Sequence, residues 1–140
     1  RMPRVEFYVL PDTDPRQRLK VACQLAGKAW RAGMTVFIRG ADEADCEALD
    51  DLLWSFRSAS FIPHNRHEDG ADAPVVIGID QPPAHPQGLL INLHPELPAD
   101  PERFGRVIEI VNQAPELLTI CREHFRQYRQ RGYAPQRVEL

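Results

Sequence analysis

Cysteine is scarce and scattered: Cys23, Cys46 and Cys121 are the whole set, far apart and without a CxxC pair. An odd, widely spaced set excludes a disulfide framework and a zinc knuckle, and fits a reducing cytoplasm. Long apolar runs are missing as well, so neither a secretory h-region nor a membrane span is read. There is no excess of positive charge. A net charge of −3 excludes a protein coated in basic residues for wrapping DNA, and any basic function has to be local. Glycine is absent where nucleotide chemistry needs it. The turn after the first predicted strand reads Pro11-Asp12-Thr13-Asp14-Pro15, acidic and glycine-free, where a phosphate loop requires glycines and free backbone donors. No GxxxxGK[ST] occurs, since Gly27-Lys28 lies within a predicted helix with no partner glycine upstream, and no GxSxG elbow presents a nucleophile. His64 and His67 have an HxxH spacing beside Glu68 and Asp69, but on a loop that spacing fixes no metal geometry. No catalytic set, metal site or cofactor is therefore expected.

What is present is an ordinary globular composition, 43% apolar and 26% charged over 140 residues, enough for one hydrophobic core. Arg1, ahead of Met2, reads as an added residue and is set aside. Residues 4–10 read as a strand ended by Pro11-Asp12. Asp14 can cap a helix with Pro15 at its first position, and Leu19, Ala22, Cys23, Ala26 and Trp30 follow at helical spacing until Gly33. Thr35-Val36-Phe37-Ile38 is a short buried strand, completing a βαβ unit. A second helix, about 42–54, puts Cys46, Leu49 and Leu53 on one side. Residues 75–79 and 89–93 are apolar runs of strand length that read as buried parallel strands. A third helix is predicted to open at Pro101 and to carry Phe104, Val107, Ile108 and Val111. The last helix follows a break near Pro115. The expected fold is one three-layer α/β domain over residues 1–140, with a mostly parallel sheet flanked by helices, Rossmann-like without a phosphate-binding loop. Residues 55–74 form a long connection whose acidic part, about 66–74, is expected to be flexible.

The last helix has two faces that want different things. Leu117, Ile120, Cys121, His124 and Tyr128 fall on one stripe suited to the core, with His124 read as a packing histidine. About 120° away, Leu118, Arg122, Phe125 and Arg129 share a second stripe, with Arg126 at its edge. A ring among guanidinium groups suits an acidic peptide, a phosphate group or nucleic acid. The charge is polarised, with five arginines between Arg122 and Arg137 opposed only by Glu123 and Glu139. In the long connection, Trp54, Phe61 and Pro63 fit two roles by spacing, core plugs or anchors offered to a partner.

The segments Phe7-Tyr8-Val9-Leu10, Ala29-Trp30-Arg31-Ala32-Gly33, Leu49-Asp50-Asp51-Leu52-Leu53-Trp54, Ser60-Phe61-Ile62-Pro63-His64-Asn65 and Phe125-Arg126-Gln127-Tyr128-Arg129-Gln130-Arg131-Gly132-Tyr133 occur in one order across nearly the whole chain. Together they resemble the chi subunit of bacterial DNA polymerase III, the Leu-Trp and Ser-Phe-Ile-Pro-His-Asn pair being the most specific. The resemblance implies a non-catalytic α/β subunit of the clamp-loader assembly with two docking surfaces, acting in the cytoplasm at replication forks on the nucleoid. One surface would receive the psi subunit, or a repair helicase competing for the same place, at Trp54, Phe61, Pro63, His64 and Asn65. The other would bind the acidic, Pro-Phe-ending tail of single-stranded DNA-binding protein at Val111, Arg122, Phe125 and Arg126, with DNA contacted only indirectly. Phe125 stands where the family has Tyr, and a basic family position falls on Leu118, for which Arg129 or Arg131 is the candidate replacement. Two readings from other classes are an atypical nucleotide-binding α/β enzyme and a direct single-strand-binding module.

Overall fold

A computed structural model describes residues 2–55, 62–69, 73–80, 82–83 and 88–140. Its frame is a seven-stranded sheet in which every pairing is parallel. In chain order the elements are β1 (Arg4–Val9), α1 (Pro15–Arg31), β2 (Val36–Arg39), α2 (Glu43–Ser55), β3 (His64–Arg66), β4 (Val75–Gly78), β5 (Leu89–Asn92), β6 (Arg106–Val111), α3 (Pro115–Gln130) and β7 (Gln136–Glu139). The spatial order is β3-β4-β2-β5-β6-β1-β7. From β1 the chain travels through α1 to β2 and through α2 to β3, always in one direction across the sheet. After β3 it turns back, through β4, β5 and β6 and then through α3 to β7. Right-handed crossovers running in opposite directions put their helices on opposite faces. The core divides accordingly, into a cluster of α1 and α2 with one side of the sheet and a cluster beneath α3 on the other.

The helix boundaries have local causes. The Asp14 carboxylate accepts a 2.9 Å hydrogen bond from the Arg16 amide, with Pro15 next to it, so the N-terminus of α1 is closed by an acidic side chain. Gly33, at φ 87°, takes the left-handed turn that follows α1 and leads to β2. Gly27 serves packing instead. A Cβ there would come 2.9 Å from Ile62 Cδ1, so its absence lets Ile62, 2% exposed, fill the space beside α1.

One predicted element is corrected. Residues 101–111 are not a helix: Pro101–Arg103 is a single 3₁₀ turn, and Arg106–Val111 is a central strand paired in parallel with both β1 and β5. Val107, Ile108 and Val111 match a helical stripe by spacing, but a strand buried on both faces is apolar at successive positions and produces the same matches. The β-branched run Val107, Ile108, Ile110 and Val111 favours the strand. Val107 and Val111 join the core under α3, while Ile108 and Ile110 join the other. The two sheet edges, β3 and β7, escaped prediction because His-Asn-Arg and Gln-Arg-Val-Glu have the polar composition of edge strands and no apolar period. Of the long connection, residues 64–66 are thus strand β3 and His67–Asp69 a 3₁₀ turn, while 70–72 lie outside the described residues.

The α3 face of the sheet contains a polar row. The register aligns Arg39 of β2 with Asn92 of β5, and Asn92 with Glu109 of β6. All three side chains are buried. Glu109 Oε2 accepts from Asn92 Nδ2 at 2.8 Å and from the Tyr128 hydroxyl at 3.0 Å, and Oε1 lies 2.9 Å from His124 Nδ1. The other ring nitrogen, Nε2, lies 2.7 Å from the Pro95 carbonyl, which can only accept. Both ring nitrogens donate, and His124 is an imidazolium paired with the Glu109 carboxylate. Burial opposes that charge, but the hydrogen bond and charge of Glu109 and the Pro95 carbonyl outweigh it and hold the His124 pKa above the usual histidine value. Burial, followed by the charge of Glu109, drives the Tyr128 phenol far above its ordinary range.

Removing the carboxylate leaves His124, Tyr128 and Asn92 without their shared acceptor. Glu109→Ala is expected to lose about 3–5 kcal/mol of unfolding free energy, measured by urea melts at neutral pH. The sign of the pH dependence follows from the raised His124 value. The stabilisation is fully present below the unfolded value near 6.5 and is lost as pH rises through the higher folded value. Urea melts of the wild type across that window should show stability falling with pH, a slope that His124→Gln lacks.

Candidate peptide-docking surfaces

Beyond Glu109 the register continues to Phe7 of β1 and then to Arg137 of β7. Here polar packing gives way to an apolar hollow of about 380 Å³. Phe7 and Val9 of β1 and Val111 of β6 line it from the sheet, and Leu118, Cys121, Arg122 and Phe125 from α3. Gln113 and Arg137 complete the rim, with Gln113 Nε2 donating to the Leu10 carbonyl at 3.0 Å. The Phe125 ring is half-buried, its centroid 5.2 Å from that of Phe7. Sequence spacing put this ring on the solvent stripe of the helix. It packs instead against Phe7 of β1 and lines the hollow.

The arginines differ in what they can still bind. The Arg122 side chain is exposed and forms no hydrogen bond or ion pair among the described residues, and the same is true of the Arg129 side chain. Arg126 is engaged by Glu123 one helical turn away, through Nε at 3.0 Å and a second contact from Nη2. Hydrogen bonds from Arg126 and then Gln127 hold the Glu123 carboxyl down to about 2. Arg126 and Arg129 do not line the apolar hollow. They border a second depression of about 400 Å³ on the outer side of α3, which Arg122 and Phe125 share. Of the residues assigned to the tail surface, Val111, Arg122 and Phe125 therefore meet at one hollow, while Arg126 and Arg129 flank it. Phe7, Val9, Gln113 and Arg137 were not foreseen. Their clue lay in strand pairing, which places β7 beside β1, and β7 has no apolar pattern to announce it.

The second assigned group lies at the opposite edge of the sheet. Trp54, at the end of α2, is 63% exposed, and its ring lies 5.2 Å from that of His64 on β3 in an edge-on arrangement. His64 Nδ1 lies 2.8 Å from the Ile62 carbonyl and Nε2 2.9 Å from Asp50 Oδ1 on α2. Asn65 Oδ1 accepts from the Ala73 amide at 3.1 Å, and Pro63, His64 and Asn65 are all half-buried. Phe61 lies outside the described residues. Six inter-strand steps of about 4.8 Å separate the two edges, so these surfaces are roughly 30 Å apart. Among the described residues no three His, Cys, Asp or Glu side chains converge as a metal ion requires, and His67 sits apart from His64 in its 3₁₀ turn. No helix among them is long and apolar enough to cross a membrane.

The model of one family, described as DNA polymerase III chi subunit, HolC, matches residues 2–136. The chain belongs to that family. It is 50% identical over 132 residues to the DNA polymerase III subunit chi of Pseudomonas aeruginosa, covering 94% of this chain and 93% of that one. The subunit chi of Haemophilus influenzae is 31% identical over 131 residues, 91% of each chain, and that of Escherichia coli 30% identical over 139 residues, covering 94% of this chain and 95% of its own. The chi resemblance carried by the Leu-Trp and Phe-Ile-Pro-His-Asn segments thus extends over the chain from β1 to the start of β7.

Trp54 and Ile62 offer a contrast within one patch of this chi-family chain. Trp54→Ala should change the urea midpoint little, within about 0.5 kcal/mol, because the ring is mostly in water. Ile62→Ala should cost about 2–5 kcal/mol, because it empties a filled space beside Gly27. A large loss in the Trp54 variant would make that ring a structural plug and not a docking anchor.

Proposed function

We propose that this DNA polymerase III accessory subunit is a non-catalytic adaptor, linking the clamp loader to the C-terminal tail of single-stranded DNA-binding protein. Psi docks at the β3 edge through Trp54, Phe61, Pro63, His64 and Asn65, a place a repair helicase can also take. The tail docks at the opposite edge on α3, at Val111, Arg122, Phe125, Arg126 and Arg129. DNA is contacted only through the partner, and the protein works in the cytoplasm, at forks on the nucleoid.

The observation that carries the reading is Arg122, a guanidinium without a partner among the described residues, at the rim of an apolar hollow walled by Phe125. Such a pairing fits a chain end that carries both a carboxylate and a ring. Leu118, where the family pattern is basic, enlarges the apolar wall and leaves the charge contacts to Arg122 and the arginines beyond it. The nucleotide-enzyme alternative has less support. The α1 N-terminus, where a phosphate would sit, is already taken by the Asp14 carboxylate, with Asp12 beside it.

Burying a phenylalanine contributes about 1.5–3 kcal/mol, and a hydrogen bond to a charged group about as much. Association and ordering of a flexible tail take back several kcal/mol, which leaves micromolar affinity. Fluorescence anisotropy with a labelled acidic peptide ending in Pro-Phe tests this. The Kd should lie in the micromolar range, weaken with salt, and be lost in large part in Arg122→Ala. Unchanged affinity in that variant, or equal affinity for a peptide lacking its last phenylalanine, would reduce α3 to a solvated arginine face.

A further inference from the structure

Arg137 lies on the far side of the hollow from Arg122, on a strand that sequence patterning does not reveal. The register sets it directly beside Phe7, and Glu139 beside Val9, so two charged side chains of β7 border the two apolar residues that β1 contributes. β7 pairs only with β1 among the described residues, and its other edge is open. The Arg137 side chain is 64% exposed and reaches along its own strand, where Nη2 lies 2.7 Å from Glu139 Oε1, itself 67% exposed. Two exposed charges on neighbouring same-side positions of an edge strand contribute little to folding. Their placement gives them a different use. Across the hollow the arginines are in different states: the Arg122 side chain has no partner among the described residues, and Arg137 already holds a side-chain carboxylate.

We propose that Arg137 is a second specificity-determining residue of the α3 hollow, which takes an acidic side chain of the bound tail in exchange for Glu139. This rests on the tail-docking reading above. A peptide whose final ring lies over Phe7, Val9 and Val111 has its chain end at Arg122 and its preceding acidic residues within the reach of β7. The exchange replaces one carboxylate by another on a guanidinium that keeps its charge, so no unpaired charge is left behind except Glu139, which is in water. Glu139 acts as an internal competitor. It raises the threshold for weakly acidic chain ends and leaves strongly acidic ones able to bind.

Three peptides test this by anisotropy against Arg137→Ala, Glu139→Gln, their combination and Arg122→Ala: the acidic Pro-Phe-ending peptide, the same peptide with its acidic side chains changed to amides, and the same peptide with an amidated C-terminus. Arg137→Ala should weaken binding of the acidic peptide about fivefold, weaken the C-terminally amidated peptide by a similar factor, and leave the side-chain-amide peptide unaffected. Glu139→Gln should tighten binding of the acidic peptide, a gain that vanishes when Arg137→Ala is added. Coincident urea midpoints for these exposed edge-strand variants would establish that the fold is intact. Unchanged affinity in Arg137→Ala, while Arg122→Ala still loses binding, would overturn the proposal and leave tail docking standing. A loss in Arg137→Ala confined to the free C-terminal carboxylate would also overturn it. Absence of binding by the wild type would overturn both.

Discussion

The carboxylate of Glu109 is the constraint on which the working surface depends. It sits on the central strand β6, is 1% exposed, and has three hydrogen-bonding partners on two elements: Asn92 on β5 and His124 and Tyr128 on α3. A hydrophobic contact would hold α3 against the sheet but would tolerate small rotations and slides. A carboxylate shared by an imidazolium and a phenol admits only one azimuth and one height of the helix. Because His124 and Tyr128 are fixed, Phe125 is turned onto Phe7, and Arg122, two positions before His124, is turned to the rim of the hollow. The same row fixes the other side, since Asn92 is held by Arg39, whose guanidinium also donates to the Ile79 and Glu96 carbonyls. Charge buried in the sheet thus sets the geometry of charge exposed on the surface.

Parallel topology keeps the two candidate docking surfaces apart. Each crossover direction buries one face of the sheet and leaves one edge as a terminus, and the polar strands β3 and β7 close those edges. Trp54 stands at one and Arg137 at the other. Between them lie β4, β2, β5 and β6, buried along nearly their whole length, and β1, buried at every second residue, a stiff spacer between two exposed patches. A partner at the β3 edge touches α2 and the segment around Pro63, none of which contributes to the hollow under α3.

Much of this was legible from the chain alone. Asp14-Pro15 and Gly33 marked both ends of α1, and the Val-Val-Ile-Gly and Leu-Leu-Ile-Asn runs marked central strands, because capping and full burial leave local signatures. The core stripe of α3 was legible too, with Cys121, His124 and Tyr128 buried as helical spacing required. What failed was local pattern where two structures share it: Val107, Ile108 and Val111 satisfy a helix stripe and a doubly buried strand alike. Edge strands were invisible because solvent on one side removes the apolar alternation that announces a strand. Of the residues lining the hollow under α3, Arg122 and Phe125 were named from helix phase and Val111 from family likeness. Phe7, Val9 and Arg137 were not, since Phe7 and Val9 reach the hollow through the pairing of β1 with β6 and Arg137 through the pairing of β7 with β1, both set by topology.

Placement of a chain end in the α3 hollow is open to direct observation. In a side-chain NMR titration of the full chain with the acidic Pro-Phe-ending peptide, the methyl signals of Val9, Val111 and Leu118 and the ring signals of Phe7 and Phe125 should shift together along one saturating isotherm. The Ala22, Ala26 and Leu49 methyls under α1 and α2 should stay in place. Shifts centred on Trp54 and β3, or a saturating response on the α1 and α2 face with Phe7 and Val111 unmoved, would contradict the assignment of α3 and its hollow as the tail-binding surface.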